Sequence, residues 1–378
     1  MDDPIYLDTH TIARPSLQAI ERMAPFFKDL WGAVEAPHRM GQELLPAVDA
    51  AASAIYEALG AAFDDPFYFM ASGAEAIGHM SFSLYLDHIR DSGRNHLLTT
   101  AVEEAPVRLA MKRLEKVDCV SKFLPVDLAG RLRAEVLEEA IGPRVCMLSL
   151  SMASSLTGVI QPIADLARIC KEKEILLHVD ISNIFGKIFF SFQDFGIDIL
   201  SFEGSLLHAP KGTGGLLIRK GLDLPSLAPG AEPFNVPLFV ALAVAVDELQ
   251  ARIDYMCTEA ARLRQLFEDG IKNGYPDAIV FFDDVERLPN ISVIAFPGVT
   301  SEALLFRLNR QSVFASFGNK NSQYLPQILK TCGIDNGLAL CALSFSLSHE
   351  TTEQEIHRAI SIIVETANEL RAMTGTLL

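Results

Sequence analysis

The sequence predicts an α/β fold: a large unit with a mostly parallel central sheet, joined to a smaller α+β unit. Three observations carry this. Short apolar runs alternate with helix-period segments through the first two-thirds of the 378 residues, the order that βαβ units produce. Some of those runs are continuously apolar, 175–179 being the clearest, as strands buried on both faces require. Beyond about residue 273 the order changes, and strands mix with helices in a different sequence. A chain of this length suits a large domain plus a smaller one. The expected division is 16–265 for the large unit, and 1–15 with 266–378 for the small one.

Each element follows from local pattern. Segments 16–27 and 44–63 carry apolar residues at helical spacing. The run 67–70 is a strand that stops at Ser72-Gly73, and a helix follows to residue 86. Strands are expected at 95–100, 119–124 and 145–150, with helices at 106–116 and 132–141 between them. A helix at 161–172 has Pro162 in its first turn. Strands follow at 175–179, 198–202 and 214–218. A long helical pattern runs from 237 to about 273. In the small unit, strands are expected at 278–282, 290–296, 313–316 and 343–347, with helices at 301–309, 324–332 and 352–373.

Composition excludes several classes of function. A formal net charge of -16 disfavours nucleic acid and anionic membrane surfaces, both of which are negative. The longest apolar run, 236–246, contains Pro237 and ends at Asp247, so no membrane span is expected. Met1-Asp2-Asp3-Pro4 is not a secretory leader. The six cysteines form no CxxC pair, which reads as reduced buried thiols in a cytoplasmic protein. His79, His88 and His178 show no metal-ligand spacing, and no metal site is expected.

Several segments, in order along nearly the whole chain, resemble the class V aminotransferases and within them the cysteine desulfurases. Tyr6-Leu7-Asp8 is similar to that family's opening motif. Ser72-Gly73-Ala74 is similar to its SGATE turn, and Gly158-Val159-Ile160-Gln161-Pro162-Ile163 to its GxIQPI segment. His178-Val179-Asp180 with Gly186-Lys187, and the frame ending in Pro210-Lys211-Gly212, also match. Leu288-Pro289-Asn290-Ile291-Ser292 and Phe345-Ser346-Leu347 match the small unit. The resemblance implies the pyridoxal-phosphate (PLP) transferase fold, fold type I.

The same comparison shows what is missing. The family's PLP lysine lies five residues before the lysine of PKG, and that position is Leu206. Lys211 and Lys187 match lysines that the family uses otherwise. The histidine that stacks on the cofactor ring is Glu104, beside Glu103. The nucleophilic cysteine of the small-unit loop matches Asn321, and the substrate-carboxylate arginine matches Ser344. The family's Gly-rich loop before the long helix has no room between Lys220 and Val236. What remains of the cofactor site is Ser72 and Gly73 at a helix N-terminus, where an anion would be held, with Asp180 and Asn183. Glu75 and Glu203 stand where the family has a threonine and a serine.

The expected function is therefore a non-catalytic desulfurase-like pseudoenzyme. It would act by homodimerisation, by pairing with a related desulfurase, or by binding a sulfur-carrier or Fe–S assembly protein. The apolar run 236–246 would supply a buried subunit interface. No cofactor is expected, with PLP implied only if that reading fails. Two alternatives stand beside it. Glu75, Glu103, Glu104, Asp180 and Glu203 could make the old cleft acidic and suited to another small ligand or a metal. Or the chain is an active PLP-dependent desulfurase, or related lyase or transferase, with relocated residues.

Overall fold

The computed structural model of the chain describes residues 3–230, 234–320 and 322–375. Its strands, in chain order, are β1 (Ile5–Tyr6), β2 (Phe67–Met70), β3 (His96–Thr100), β4 (Val120–Leu124), β5 (Val145–Ser151) and β6 (Leu176–Asp180). They continue with β7 (Ile199–Glu203), β8 (Gly214–Ile218), β9 (Ile279–Phe281), β10 (Ile291–Ala295), β11 (Val313–Phe314) and β12 (Ala342–Ser346). The central sheet has the order β2-β8-β7-β6-β5-β3-β4. Only β8 runs against its neighbours; the other six share one direction. Every residue of β5 and β8 is buried, which is why those runs read as continuously apolar or small in the sequence.

Sheet register decides what meets at the carboxyl edge. Ser151 pairs with Asp180, and Asp180 with Ser201. Glu203 at the end of β7 pairs with Gly214, as does Met70 at the end of β2. The edge therefore gathers Ser151, Asp180, Glu203 and the turn that starts the helix Gly73–Leu84. Ligand crevices in open α/β sheets lie outside the carboxyl ends of the strands.

A second, antiparallel sheet has the order β12-β10-β9. The N-terminal segment ties it to the cleft: β1 pairs in parallel with β11, and Thr9 Oγ1 donates to the Leu347 carbonyl at 2.9 Å. Several recognisable motifs are structural clips. Gly158 has φ +73°, and a Cβ there would meet Ile291 Cβ at 3.0 Å, so this turn needs glycine. Buried Gln161 accepts from Leu132 N–H and donates to the Gly130 carbonyl, both at 2.9 Å. Buried Asn290 donates to the Leu347 carbonyl at 2.8 Å.

Three expectations are corrected. The helical pattern from 237 is not one helix: Val236–Gln250 ends, Arg252 leaves helical geometry at φ -119°, and a π-turn at Met256–Ala260 leads into Ala261–Gly274. The two long pieces pack on different partners, the first on Leu45–Leu59 and the second on Glu353–Gly375, and one straight rod could not serve both. The run 236–246 is left for a subunit interface only in part: Val240 and Val244 stay half-buried beside a surface groove, and most of its other apolar side chains turn inward. Val236, Phe239, Leu242 and Val246 are buried within the chain's own core. Pro162 caps its helix from outside, and the helix begins at Ile163. The short helix Asn336–Ala339, capped by Asp335, was not anticipated.

Candidate functional site

The turn after β2 starts the site. Ser72 is extended at φ -168° and ψ 163°, and its Oγ accepts from Glu75 N–H at 3.1 Å, the usual N-cap bond. Glu75 turns back to accept from Ala71 N–H at 2.6 Å. It is absent from the side chains lining the cleft, so its expected part in an acidic cleft is corrected: capping its own helix absorbs it. Gly73 lies against β7, and a Cβ there would meet Glu203 N at 3.1 Å.

The cleft beyond this turn has a volume of about 180 Å³ and is lined by Gly73, Ala74, Glu104, Asp180, Asn183, Glu203, Leu206 and His10, among others. Among the described residues, no lysine or arginine lines it. Glu203 is bonded on both oxygens: Oε2 accepts from Gly73 N–H at 2.9 Å, and Oε1 from Ser205 Oγ at 2.7 Å and Ser205 N–H at 3.2 Å. Asp180 accepts from Ser201 Oγ at 2.6 Å and from Ser182 N–H at 3.1 Å. A polar line runs behind it. Ser149 Oγ meets His178 Nδ1 at 2.7 Å, and His178 Nε2 meets Ser201 Oγ at 3.0 Å. Because Ser201 donates to Asp180, the arrangement assigns the His178 proton to Nε2. Burial drops His178 to about 3, so it is neutral, and pushes Asp180 upward.

Glu104 precedes the helix Ala105–Leu114, and its Oε1 accepts from Ser155 N–H at 2.8 Å. Glu103 lies behind it, accepting from Ser151 N–H and Glu104 N–H, both at 2.9 Å. Burial pushes both carboxyls up to about 7. The folded protein thus binds protons more readily than the unfolded chain between pH 4.5, the ordinary value, and about 7. Stability is therefore lost as pH rises through that window. Glu104→Gln keeps an oxygen for Ser155 N–H and removes the charge. The variant is expected to match wild type near pH 4.5 and to melt ~2–4 °C higher above pH 7. Calorimetric curves that stay parallel across the range would contradict this assignment.

Leu206 closes the one-turn helix Gly204–Leu206 and lines both this cleft and a small gap beside Lys187 and His208. Lys187 is buried, and its Nζ donates to the Asn183 carbonyl at 3.0 Å. No described ion pair includes it, and burial lowers its ammonium to about 8. Lys211 is exposed. Asn183 donates to the Ala153 carbonyl at 3.0 Å. Ser344 is fully buried on β12 and donates to the Leu156 carbonyl at 2.7 Å, so it does not reach the cleft. Asn321 lies outside the described residues. The chain beside it is docked, with Gln323 Nε2 on the Val102 carbonyl at 3.2 Å. Cys119, Cys146, Cys170 and Cys332 are buried, and burial raises Cys332 to about 12. No group of three metal-ligating side chains and no helix able to cross a membrane occurs among the described residues.

The site residue that sequence reasoning missed is His10. It lines the cleft, its Nδ1 lies 2.7 Å from Ser346 Oγ, and burial lowers it to about 3. Its position two residues after Asp8 in the opening motif was the available signal.

Comparison with known proteins agrees with this architecture. The aminotransferase class V family model matches residues 5–234. The chain is 31% identical to a cysteine desulfurase of Gluconacetobacter diazotrophicus, over 98% of this chain and 95% of that one. It is 30% identical to the cysteine desulfurase NifS of Azotobacter vinelandii, over 97% and 93%. Among solved structures, a NifS-like protein superimposes with a TM-score of 0.87 at 26% identity, covering 96% of this chain and 99% of that one. These likenesses overturn the expectation that no cofactor is involved. The relatives are PLP-dependent, so PLP is the group this cleft must be measured against.

The residues present do not fit PLP in the arrangement the resemblance implies. Asp180, which lines the cleft, is the residue that would meet a ring nitrogen. At the other end, however, the Gly73 N–H that would meet a phosphate already holds the Glu203 carboxylate. Leu206 offers no amine, and about 180 Å³ is below the roughly 300–1,000 Å³ of sites for larger ligands.

Proposed function

The chain belongs to the class V aminotransferase family, and from that premise we propose a cysteine desulfurase-family protein that has given up turnover and acts by associating with another protein. The observation that carries this is Leu206, a hydrocarbon side chain facing the cleft five residues before Lys211. Family chemistry needs an amine there. The acidic cleft supports the same reading, since among the described residues the charged side chains that a substrate carboxylate meets there are Glu104, Asp180 and Glu203.

Association has its own support. Leu17, Phe27 and Trp31 are 66%, 62% and 65% exposed. The same segment borders a groove of about 570 Å³ floored by Phe26, Ala51, Val240 and Ala243. Exposed apolar surface of this kind marks interaction sites. The partner is a second copy, a catalytically complete relative, or a sulfur-carrier or Fe–S assembly protein.

The test offers the purified chain PLP and cysteine, then measures sulfide release and, after borohydride reduction, covalent labelling by peptide mass mapping. The expected result is no sulfide and no labelled lysine in the cleft. One observation favours a second reading, an active PLP enzyme with a relocated amine. Lys187 is a buried lysine with no carboxylate partner among the described residues, and Leu206 lines both the cleft and the gap that Lys187 lines. A specific label on Lys187 with sulfide release would establish that reading and end the first.

A further inference from the structure

We propose that Glu203 is a built-in anion seated in the chain's own phosphate cradle, and that it decides whether the cleft accepts a phosphorylated ligand. The cradle is the first turn of the helix Gly73–Leu84, where amides without intrahelical partners and the positive end of the dipole meet. Of these amides, Glu75 N–H is taken by Ser72 Oγ and Ala76 N–H by the Ser72 carbonyl. Gly73 N–H is taken by Glu203 Oε2 at 2.9 Å. Only Ala74 N–H, at the cleft wall, is left without an acceptor among the described residues.

The carboxylate is held in place from its far side. Glu203 Oε1 receives two bonds from Ser205, and Glu203 N–H donates to Ser182 Oγ at 2.9 Å. Backbone crowds the turn as well. A Cβ on Gly214 would lie 2.9 Å from Gly73 N and 2.6 Å from the Ser72 carbonyl carbon, so glycine there permits the close approach that brings the turn to Glu203. A dianion entering the cradle must therefore displace a side chain carrying three hydrogen bonds, or lie beside it and be repelled. Neutral or cationic groups meet no such barrier. The proposal holds whether or not the chain turns over substrate.

The experiment uses the full chain and inorganic phosphate as probe, with PLP as a second probe, and reads binding by phosphorus NMR line broadening and by shift in melting temperature. Glu203→Ser removes the resident anion and leaves Ser205 and the helix start intact. Phosphate affinity is expected to rise about tenfold or more over wild type, with a matching phosphate-dependent rise in melting temperature. Glu203→Gln, which keeps the shape and the Gly73 bond but not the charge, should fall between the two and guards against a folding artefact in the first variant. Equal phosphate affinity in wild type and both folded variants would overturn the proposal. So would phosphate binding in wild type that Glu203→Ser abolishes.

Discussion

Placing lysine at position 206 in a Glu203→Ser background is expected to change PLP labelling from none in the cleft to about one label per chain, fixed by borohydride at residue 206. The geometry makes the demand specific. Leu206 ends the one-turn helix Gly204–Leu206 and faces the cleft, so a side chain of similar reach enters the same space. Glu203→Ser frees Gly73 N–H for the phosphate. Glu104 and Asp180 line the same cleft, and whatever negative charge they carry favours the protonated amine, so labelling should strengthen toward alkaline pH, where the free amine is populated. The single change Leu206→Lys should label less well, because the cradle stays occupied. Peptide mass mapping checks the site. Label that maps to Lys187 in wild type and variant alike would show that the amine was relocated rather than lost. No label in the double variant would mean that Glu104 and the missing loop suffice to bar the cofactor.

Arg287→Ala is expected to cost ~3–5 kcal/mol of unfolding free energy, the range for stranding one member of a buried ion pair. Arg287 meets Glu268 through two bonds of 2.7 and 3.0 Å, and the two side chains are 5% and 3% exposed. Arg287 also donates to the Ile291 carbonyl at 3.3 Å, and its backbone bridges to Val159. The pair thus clamps the turn at Gly158 against β10, where the large and small sheets approach each other. Arg264, with Nε 3.8 Å from Glu268, compensates in part, which places the loss nearer the lower bound. Denaturant unfolding measures it. The double variant Glu268→Leu with Arg287→Met should be more stable than Arg287→Ala alone, because it strands no charge. A loss below about 1 kcal/mol in the single variant would show that the carboxylate finds another partner or water.

Much of the fold was legible because its signals are local. Strand runs such as 145–150 and 214–218 are apolar or small because both faces are covered. Gly158, Gln161 and Asn290 were recognisable because their chemistry is spent on the backbone, as a positive φ or as clips on the chain at Gly130, Leu132 and Leu347. Such residues allow few substitutes, so they survive as motifs. That a leucine stands five residues before Lys211 was equally readable. That PLP nonetheless belongs to the question came from likeness to whole relatives rather than from the altered positions.

The tertiary structure alone decided where the charged side chains point. Glu75 and Glu203 looked equivalent in sequence, two carboxylates near one helix start. One reaches back to Ala71 N–H and the other crosses to Gly73 N–H from the end of β7. It also decided that the helix Val236–Gln250 spends most of its apolar side chains on its own chain's core, and that His10, 170 residues before Asp180, lines the same cleft. Pattern along a chain reports which face of an element is apolar. It does not report which neighbour the sheet register brings opposite, and here register is what puts the Glu203 carboxylate on Gly73 N–H.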